Sequence, residues 1–133
     1  DQKLSEVEIL IILSSFKPAI FFHKSYDSLS SWKTVTESFS FGMLKSLINN
    51  FQYSAIIVVG CIIKGQTYHF ECISNSVANS IGHLNSMGKT PVIFCVLTDN
   101  NIQQSLDRSG GKYGNKGEEA AITALRMATL KFK

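Results

Sequence analysis

The sequence predicts an α/β protein, a three-layer α/β/α sandwich around a mainly parallel four-stranded sheet. Three apolar runs, at residues 7–14, 54–63 and 90–97, are uninterrupted rather than alternating with polar residues. Uninterrupted runs are typical of strands that are buried on both faces of a parallel sheet. Helical patterns separate the runs, and this alternation favours helices on both faces of the sheet.

The helical patterns differ in strength. The clearest spans residues 70–87, where apolar side chains recur at intervals of three or four residues, at Ile73, Val77, Ile81 and Leu84. Weaker patterns predict helices at residues 43–50, 102–106 and 118–130.

Capping signals mark the starts of the last two helices. Asn100 with Gln103, and Asn115 with Glu118, have the spacing of the N-cap and N3 positions of a capping box. We therefore expect each asparagine to cap the helix that follows it.

The first crossover is the least secure part of this prediction. A helix should connect the first strand to a weak strand at Trp32–Thr36. Only 14 residues separate Ile20 from Val35, however. Serines, which are poor helix formers, are frequent among them. A crossover takes at least about 10–12 residues. The 14 residues between them are therefore a tight fit for a crossover helix and its return to the sheet.

Length and composition narrow the class of protein. The 133 residues suit a single domain, residues 1–133, and 44% hydrophobic residues exclude disorder as the main state. The longest nearly apolar run, Ala55–Ile63, is much shorter than the about 20 residues of a membrane-spanning helix. A net charge of +3 does not by itself indicate a nucleic-acid partner. We expect neither a membrane nor a nucleic acid as partner.

The compartment is predicted from the cysteines and the first residues. Three cysteines without a C-x-x-C pair are typical of a reduced, intracellular protein. Glutamates rather than basic residues precede the run at residues 9–13, which argues against a secretory signal. The sequence does not begin with methionine, so we expect that an initiator or leader has been removed.

The turn after the second apolar run has the residues of an anion site. Lys64, Gly65, Gln66 and Thr67 follow the strand, where ligands bind in parallel sheets, and backbone N–H groups at a helix start attract anions. His69 falls in the first helical turn and could transfer protons beside a bound anion. The alternatives are an ordinary turn capped by Thr67 and a histidine on the surface or in the core.

A second basic segment joins the last two helices. Residues 108–119 contain two glycine pairs with Arg108, Lys112 and Lys116, and an arginine can bind phosphate with two parallel hydrogen bonds. The segment lacks the lysine spacing and the preceding strand of a P-loop. The alternative is a solvated connection between two helices.

Other chemistry has less support. His69 and Cys72 could share a helical face, but the spacing of a four-ligand zinc site is absent, so no metal is expected. A Cys72 nucleophile lacks an evident orienting group, and Cys61 and Cys95 fit the core. Phe94 could stack on a planar ligand or pack in the core.

Two stretches together resemble the lumazine synthase family. Residues 60–70, GCIIKGQTYHF, resemble its signature G-x-V-I-[RK]-G-x-T-x-H-[FY]. Residues 90–116 resemble the segment that follows, including Arg108 and the G-N-K-G stretch. The similarity runs without apparent gaps from about Tyr53 to Leu130. It implies a flavodoxin-like fold.

The resemblance also implies an activity. The family condenses 5-amino-6-(D-ribitylamino)uracil with 3,4-dihydroxy-2-butanone 4-phosphate to 6,7-dimethyl-8-ribityllumazine in riboflavin biosynthesis, without a cofactor. By the same resemblance His69 is the catalytic, proton-transferring residue. The substrate-binding residues that it implies here are Lys64, Gly65, Gln66, Thr67, Phe94, Arg108, Lys112 and Lys116.

The resemblance also bears on the first crossover. The segment between Ile20 and Val35 is shorter than the family's first crossover, which implies that residues are missing from the sequence there.

The resemblance is weaker in the N-terminal third. Residues 16–20, FKPAI, are similar to the family's F-N-x-x-I, which implies that Phe16 stacks on the substrate ring. Residues 35–42 are similar to V-P-G-[SA]-F-E-[IL]-P, which adds Ser38, Phe39 and Ser40 to the substrate site. Ser40 replaces the family's glutamate, so the alternative is a catalytically weakened ligand-binding or assembly protein.

Finally, the resemblance implies a homopentamer with active sites between neighbouring subunits, and it leaves open an icosahedral shell of pentamers. One chain would supply Phe16, Phe39, Ser40, Thr67 and His69, and the next chain Phe94, Arg108 and Lys116. The cytoplasm or the interior of an organelle such as a plastid is the expected location.

Overall fold

The computed structural model describes residues 9–13, 32–36, 41–50, 53–88 and 90–130. Within these ranges four strands form one parallel sheet in the order β2-β1-β3-β4. The strands are β1 (Ile9–Leu13), β2 (Trp32–Thr36), β3 (Ala55–Ile63) and β4 (Val92–Asp99). The prediction of an α/β fold with a parallel sheet is confirmed.

Helices cover both faces of this sheet. The described helices are α1 (Phe41–Asn50), α2 (His69–Ser86), α3 (Ile102–Asp107) and α4 (Lys116–Thr129). Successive residues of β3 alternate between two apolar clusters, since Ile56 and Val58 pack with α1 and α2 whereas Ile57 and Val59 pack with α4. This alternation follows from the strand's period of two and explains why the run is apolar at every position.

The short helix α3 is fastened to the sheet by polar contacts. The Ser105 hydroxyl donates to Asp99 Oδ2 at 2.6 Å, and Cys61 Sγ lies 3.2 Å from Ser105 Oγ. These contacts join α3 to β4 and β3 respectively. A six-residue helix would not be stable alone, so its position depends on such tertiary contacts.

The predicted cap of α3 is wrong by one residue. Asn101, not Asn100, is the N-cap, and its side chain accepts from the Gln104 N–H at 3.1 Å. Two consecutive asparagines are followed at the same distance by two glutamines, so the spacing alone fits both registers. The prediction for α4 is confirmed at its cap, because the Asn115 side chain accepts from the N–H groups of Gly117 and Glu118.

The connection from α3 to α4 is exposed at residues 110–114, as the alternative of a solvated link expects, but it has regular structure. It contains an antiparallel hairpin of β5 (Ser109–Gly111) and β6 (Gly114–Asn115). Gly110 and Gly114 have φ of 104° and 83°, which other residues rarely adopt. The glycine pairs therefore form a tight hairpin.

The proposed helix between β1 and β2, and the shortened crossover between Ile20 and Val35, lie outside the described residues. No helix in the described ranges is long and apolar enough to span a membrane.

Candidate active site

The turn between β3 and α2 lies at the carboxyl edge of the sheet. The Lys64 N–H donates to the Asp99 carbonyl at 2.8 Å, so the ends of β3 and β4 lie side by side. Residues 65–69 are exposed. Parallel α/β proteins bind their ligands at this edge.

The start of α2 has no side-chain cap. Tyr68 is the N-cap, with φ −65° and ψ 0°, and its side chain makes no capping hydrogen bond. The alternative of a turn capped by Thr67 is therefore not observed, and α2 begins with His69. Uncapped N–H groups at the start of an 18-residue helix are suited to an anion, because the helix dipole adds to their partial positive charge.

Lys64 lies along this helix. Its Nζ is 3.1 Å from Glu71 Oε1 and 5.9 Å from the centre of the Phe70 ring. Backbone hydrogen bonding and the Lys64 ammonium hold the pKa of Glu71 below its ordinary value. Glu71 thus stays ionised and partly neutralises the lysine.

Arg108, at the C-cap of α3, is held by a carboxylate on α4. Its Nη1 and Nη2 donate to the two oxygens of Glu119 at 2.8 and 3.0 Å, and Nη1 also donates to the Tyr113 carbonyl. Lys116 Nζ lies 3.5 Å from Glu119 Oε2. The hydrogen bonds with Arg108 lower the pKa of Glu119 and raise that of Arg108.

Lys112 and Phe94 are the other two predicted site residues in this part of the chain. Lys112 is exposed at the tip of the hairpin, with its Nζ 5.0 Å from the centre of the Tyr113 ring. Phe94 is half-buried and, with Lys116 and Glu119, lines a cavity of about 820 Å³ between α2, β4 and α4. Aromatic and charged side chains thus face one open space.

The described residues form two separate sets. One comprises the turn from Lys64 to His69, and the other comprises Arg108, Lys116 and Phe94. No hydrogen bond or ion pair in the described ranges joins the two sets within the chain. The other predicted site residues, Phe16, Ser38, Phe39 and Ser40, lie outside the described residues.

Sequence reasoning missed Glu119. Its spacing of three residues from Lys116, in the first turn of a helix, could have drawn attention to it. The bidentate contact with Arg108, 11 residues away, required the hairpin and was not visible in the sequence. In the part of the chain that the structure describes, no group of three or more His, Cys, Asp or Glu residues is arranged to hold a metal ion.

The fold and the turn together define a class: parallel α/β proteins with an open helix N-terminus at the carboxyl edge of the sheet. The sequence profile of 6,7-dimethyl-8-ribityllumazine synthases matches residues 8–131. The chain therefore belongs to the lumazine synthase family.

Individual relatives carry the same name. The chain is 52% identical to a 6,7-dimethyl-8-ribityllumazine synthase of Flavobacterium johnsoniae over 87 residues, 65% of this chain and 46% of that protein. The match to the synthase of Christiangramia forsetii is 57% identical over 77 residues, 58% of this chain and 46% of that protein. The match to that of Bacteroides fragilis is 45% identical over 97 residues, 71% of this chain and 67% of that protein. The chain spans about half the length of the first two relatives.

Proposed function

We propose that this chain, folded as a single domain over residues 1–133, is a lumazine synthase. It condenses 5-amino-6-(D-ribitylamino)uracil with 3,4-dihydroxy-2-butanone 4-phosphate and releases phosphate and water, as a step of riboflavin biosynthesis. The observation that carries the proposal is the uncapped start of α2, with the exposed Gly65–Thr67 turn before it and His69 as the first helical residue.

This geometry supports the proposed phosphate half of the site. Backbone N–H groups of Gly65, Gln66 and Thr67 bind the substrate phosphate, assisted by Lys64 and by the dipole of α2. His69, next to the phosphate, transfers protons during imine formation and phosphate loss. No covalent intermediate with the protein is needed, because orientation and electrostatics lower the barrier.

The ring half of the site uses residues from several segments. Phe16, Phe39 and Phe94 stack on the pyrimidine, and Ser38 and Ser40 bind the ribityl hydroxyls. Arg108, Lys112 and Lys116 provide positive charge near the leaving phosphate. The reaction uses neither a metal nor another cofactor.

The site is shared between subunits of a homopentamer. Within one chain the His69 set and the Arg108 set make no hydrogen bond or ion pair with each other in the described ranges, and the cavity beside Phe94 opens to the surface. A neighbouring chain that inserts its turn into this cavity would complete the site. Pentamers can in turn assemble into an icosahedral shell. A cytoplasmic or organelle location, without membrane or nucleic-acid partners, fits this function.

The activity test is direct. The purified chain is incubated with both substrates, and lumazine fluorescence and phosphate release are followed together. We expect both signals to rise in a 1:1 ratio. Absence of product from a folded, assembled protein would contradict the proposal.

Joint refolding tests the shared site. His69→Ala and Arg108→Ala variants are unfolded, mixed and refolded, and mixed assemblies are verified by mass spectrometry. Some interfaces then pair an intact His69 with an intact Arg108, so part of the activity should return. No recovery in proven mixed assemblies would place each site within one chain.

A second candidate is a ligand-binding or assembly protein with weakened turnover. Ser40, in place of the glutamate implied by the family motif, favours it, since a hydroxyl accepts weaker hydrogen bonds than a carboxylate. This reading expects substrate to raise the melting temperature without product formation. It also expects Ser40→Glu to lower the Kd for the ribityl substrate.

A further inference from the structure

The hydrogen bonds of Arg108 leave one defined edge of its guanidinium open. Nη1 uses both of its hydrogens, on the Tyr113 carbonyl at 2.5 Å and on Glu119 Oε1 at 2.8 Å. Nη2 uses one hydrogen on Glu119 Oε2 at 3.0 Å. In the ranges that the structure describes, Nε makes no hydrogen bond. The Nε–H and the second Nη2–H therefore remain, and the planar group holds these two donors parallel.

The surroundings of Arg108 hold its side chain in this orientation. The Tyr113 N–H donates to the Asp107 carbonyl at 2.8 Å, and the Lys116 N–H donates to the Arg108 carbonyl at 2.8 Å. Both the arginine backbone and the Tyr113 carbonyl are therefore fixed by the hairpin. Glu119 supplies the two remaining acceptors from α4. The Arg108 side chain is 29% exposed, so the open edge can reach a ligand.

We propose that Glu119 is a positioning residue that directs the Nε–H and Nη2–H pair of Arg108 toward a phosphate group. The same carboxylate draws the Lys116 ammonium to 3.5 Å and so keeps a second cation next to the arginine. This inference rests on the proposed function, because the phosphate is that of the four-carbon substrate. Two parallel N–H donors match two oxygens of a phosphate.

A simple charge argument makes the opposite prediction. A carboxylate beside an anion site repels the anion, so its removal would strengthen phosphate binding if charge alone decided the affinity. Positioning predicts weaker binding, because a freed arginine side chain must be ordered by the ligand itself. The sign of the change therefore distinguishes the two accounts.

The experiment measures the Kd of inorganic phosphate by calorimetry for the wild type and for Glu119→Ala, Glu119→Gln and Arg108→Ala. Glu118→Ala is the matched control, since it removes the same charge from the adjacent, exposed position. We expect binding to weaken about tenfold in Glu119→Ala, less in Glu119→Gln, which keeps one acceptor oxygen, and not in the control. The KM of the phosphorylated substrate should rise in parallel, whereas that of the ribityl substrate should not.

Unchanged or tighter phosphate binding in folded Glu119→Ala would overturn the inference. If that variant does not fold, the same criterion applies to Glu119→Gln. The wild-type assay separates this failure from failure of the proposed function. If the wild type forms product but the Glu119 variant binds phosphate as tightly as the wild type, only the positioning role is refuted. Absence of product together with Glu119-dependent phosphate binding refutes only the synthase activity.

Discussion

The turn after β3 and the segment from Arg108 to Glu119 are both suited to an anion, but they are built differently. The turn offers backbone N–H groups, its N-cap Tyr68 makes no side-chain capping bond, and its residues 65–69 are exposed. The second segment uses side-chain cations. These are held in place by the hairpin, by the Asn115 cap and by the Glu119 carboxylate, so we call residues 108–119 the braced segment. An open turn can adapt to a ligand, whereas a braced segment must be folded correctly before it can bind one.

The largest expected effect is on catalysis at the open turn. His69→Ala should lower turnover by up to about 10²-fold, because positioned proton transfer contributes roughly this much. His83→Ala is the matched control, as it makes the same change on the exposed surface of the same helix. Steady-state kinetics of both variants check this. Wild-type turnover in His69→Ala would remove the histidine from the mechanism.

Two glycine-to-alanine substitutions compare how well the backbone of each region accommodates an added Cβ atom. In Gly111→Ala the new Cβ would lie 2.8 Å from the Leu106 carbonyl oxygen and 2.9 Å from Asp107 Cα, so backbone must shift. We expect a loss of about 2 kcal/mol in the free energy of unfolding. Gly65→Ala meets no atom within 4 Å and should change stability by less than about 0.5 kcal/mol. Urea denaturation measures both, and equal losses would contradict the comparison.

The pH dependence of stability tests the buried thiol of Cys95, which lies in the sheet below the start of α4. Cys95 is fully buried, and its Sγ lies 3.6 Å from the Lys116 carbonyl oxygen. Burial raises the pKa of this thiol from 9.0 to about 11. The neutral thiol therefore contributes fully to the free energy of unfolding below pH 9, and this contribution is lost as the pH rises through about 11. The loss should be roughly 2 kcal/mol.

Comparison of variants isolates this thiol from other groups that titrate in the same range. Denaturant unfolding between pH 8 and pH 11 should show a flatter decline for Cys95→Ala than for wild type. The exposed Cys72→Ala should retain the wild-type decline, since Cys95 is still present. Parallel curves for all three proteins would exclude Cys95 as a source of the alkaline instability.

The smallest effect compares the two helix starts. Asn115→Ala removes the acceptor for the Gly117 and Glu118 N–H groups and should cost about 1 kcal/mol. Tyr68→Ala removes no capping bond and should leave the stability of α2 nearly unchanged. Thermal unfolding with calorimetry measures the difference. A larger loss in Tyr68→Ala would show that its 72% exposed ring has contacts in the assembly.

The sequence predicted the turn better than the braced segment for a physical reason. The buried run at β3 and the helical spacing of α2 are local signals, and the turn lies where they meet. The hairpin depends on glycines at φ of 104° and 83° and on a contact between Arg108 and Glu119 across it. Such backbone angles and long-range pairs leave no periodic pattern. The single Asn–Gln shift at α3 shows the same limit, since two registers had equal local support.

The side chain of Asn85 has a consequence for how copies of this chain can meet. Its Nδ2 donates to the Val92 carbonyl at 2.8 Å, and its Oδ1 accepts from the Val92 N–H at 2.9 Å. One amide thus imitates a short piece of neighbouring strand at the start of β4, which is an edge of the described sheet. A second chain finds no free backbone groups at Val92 to extend the sheet. A neighbouring strand could therefore pair with β4 only beyond Val92, so Asn85 protects the start of this edge against strand addition.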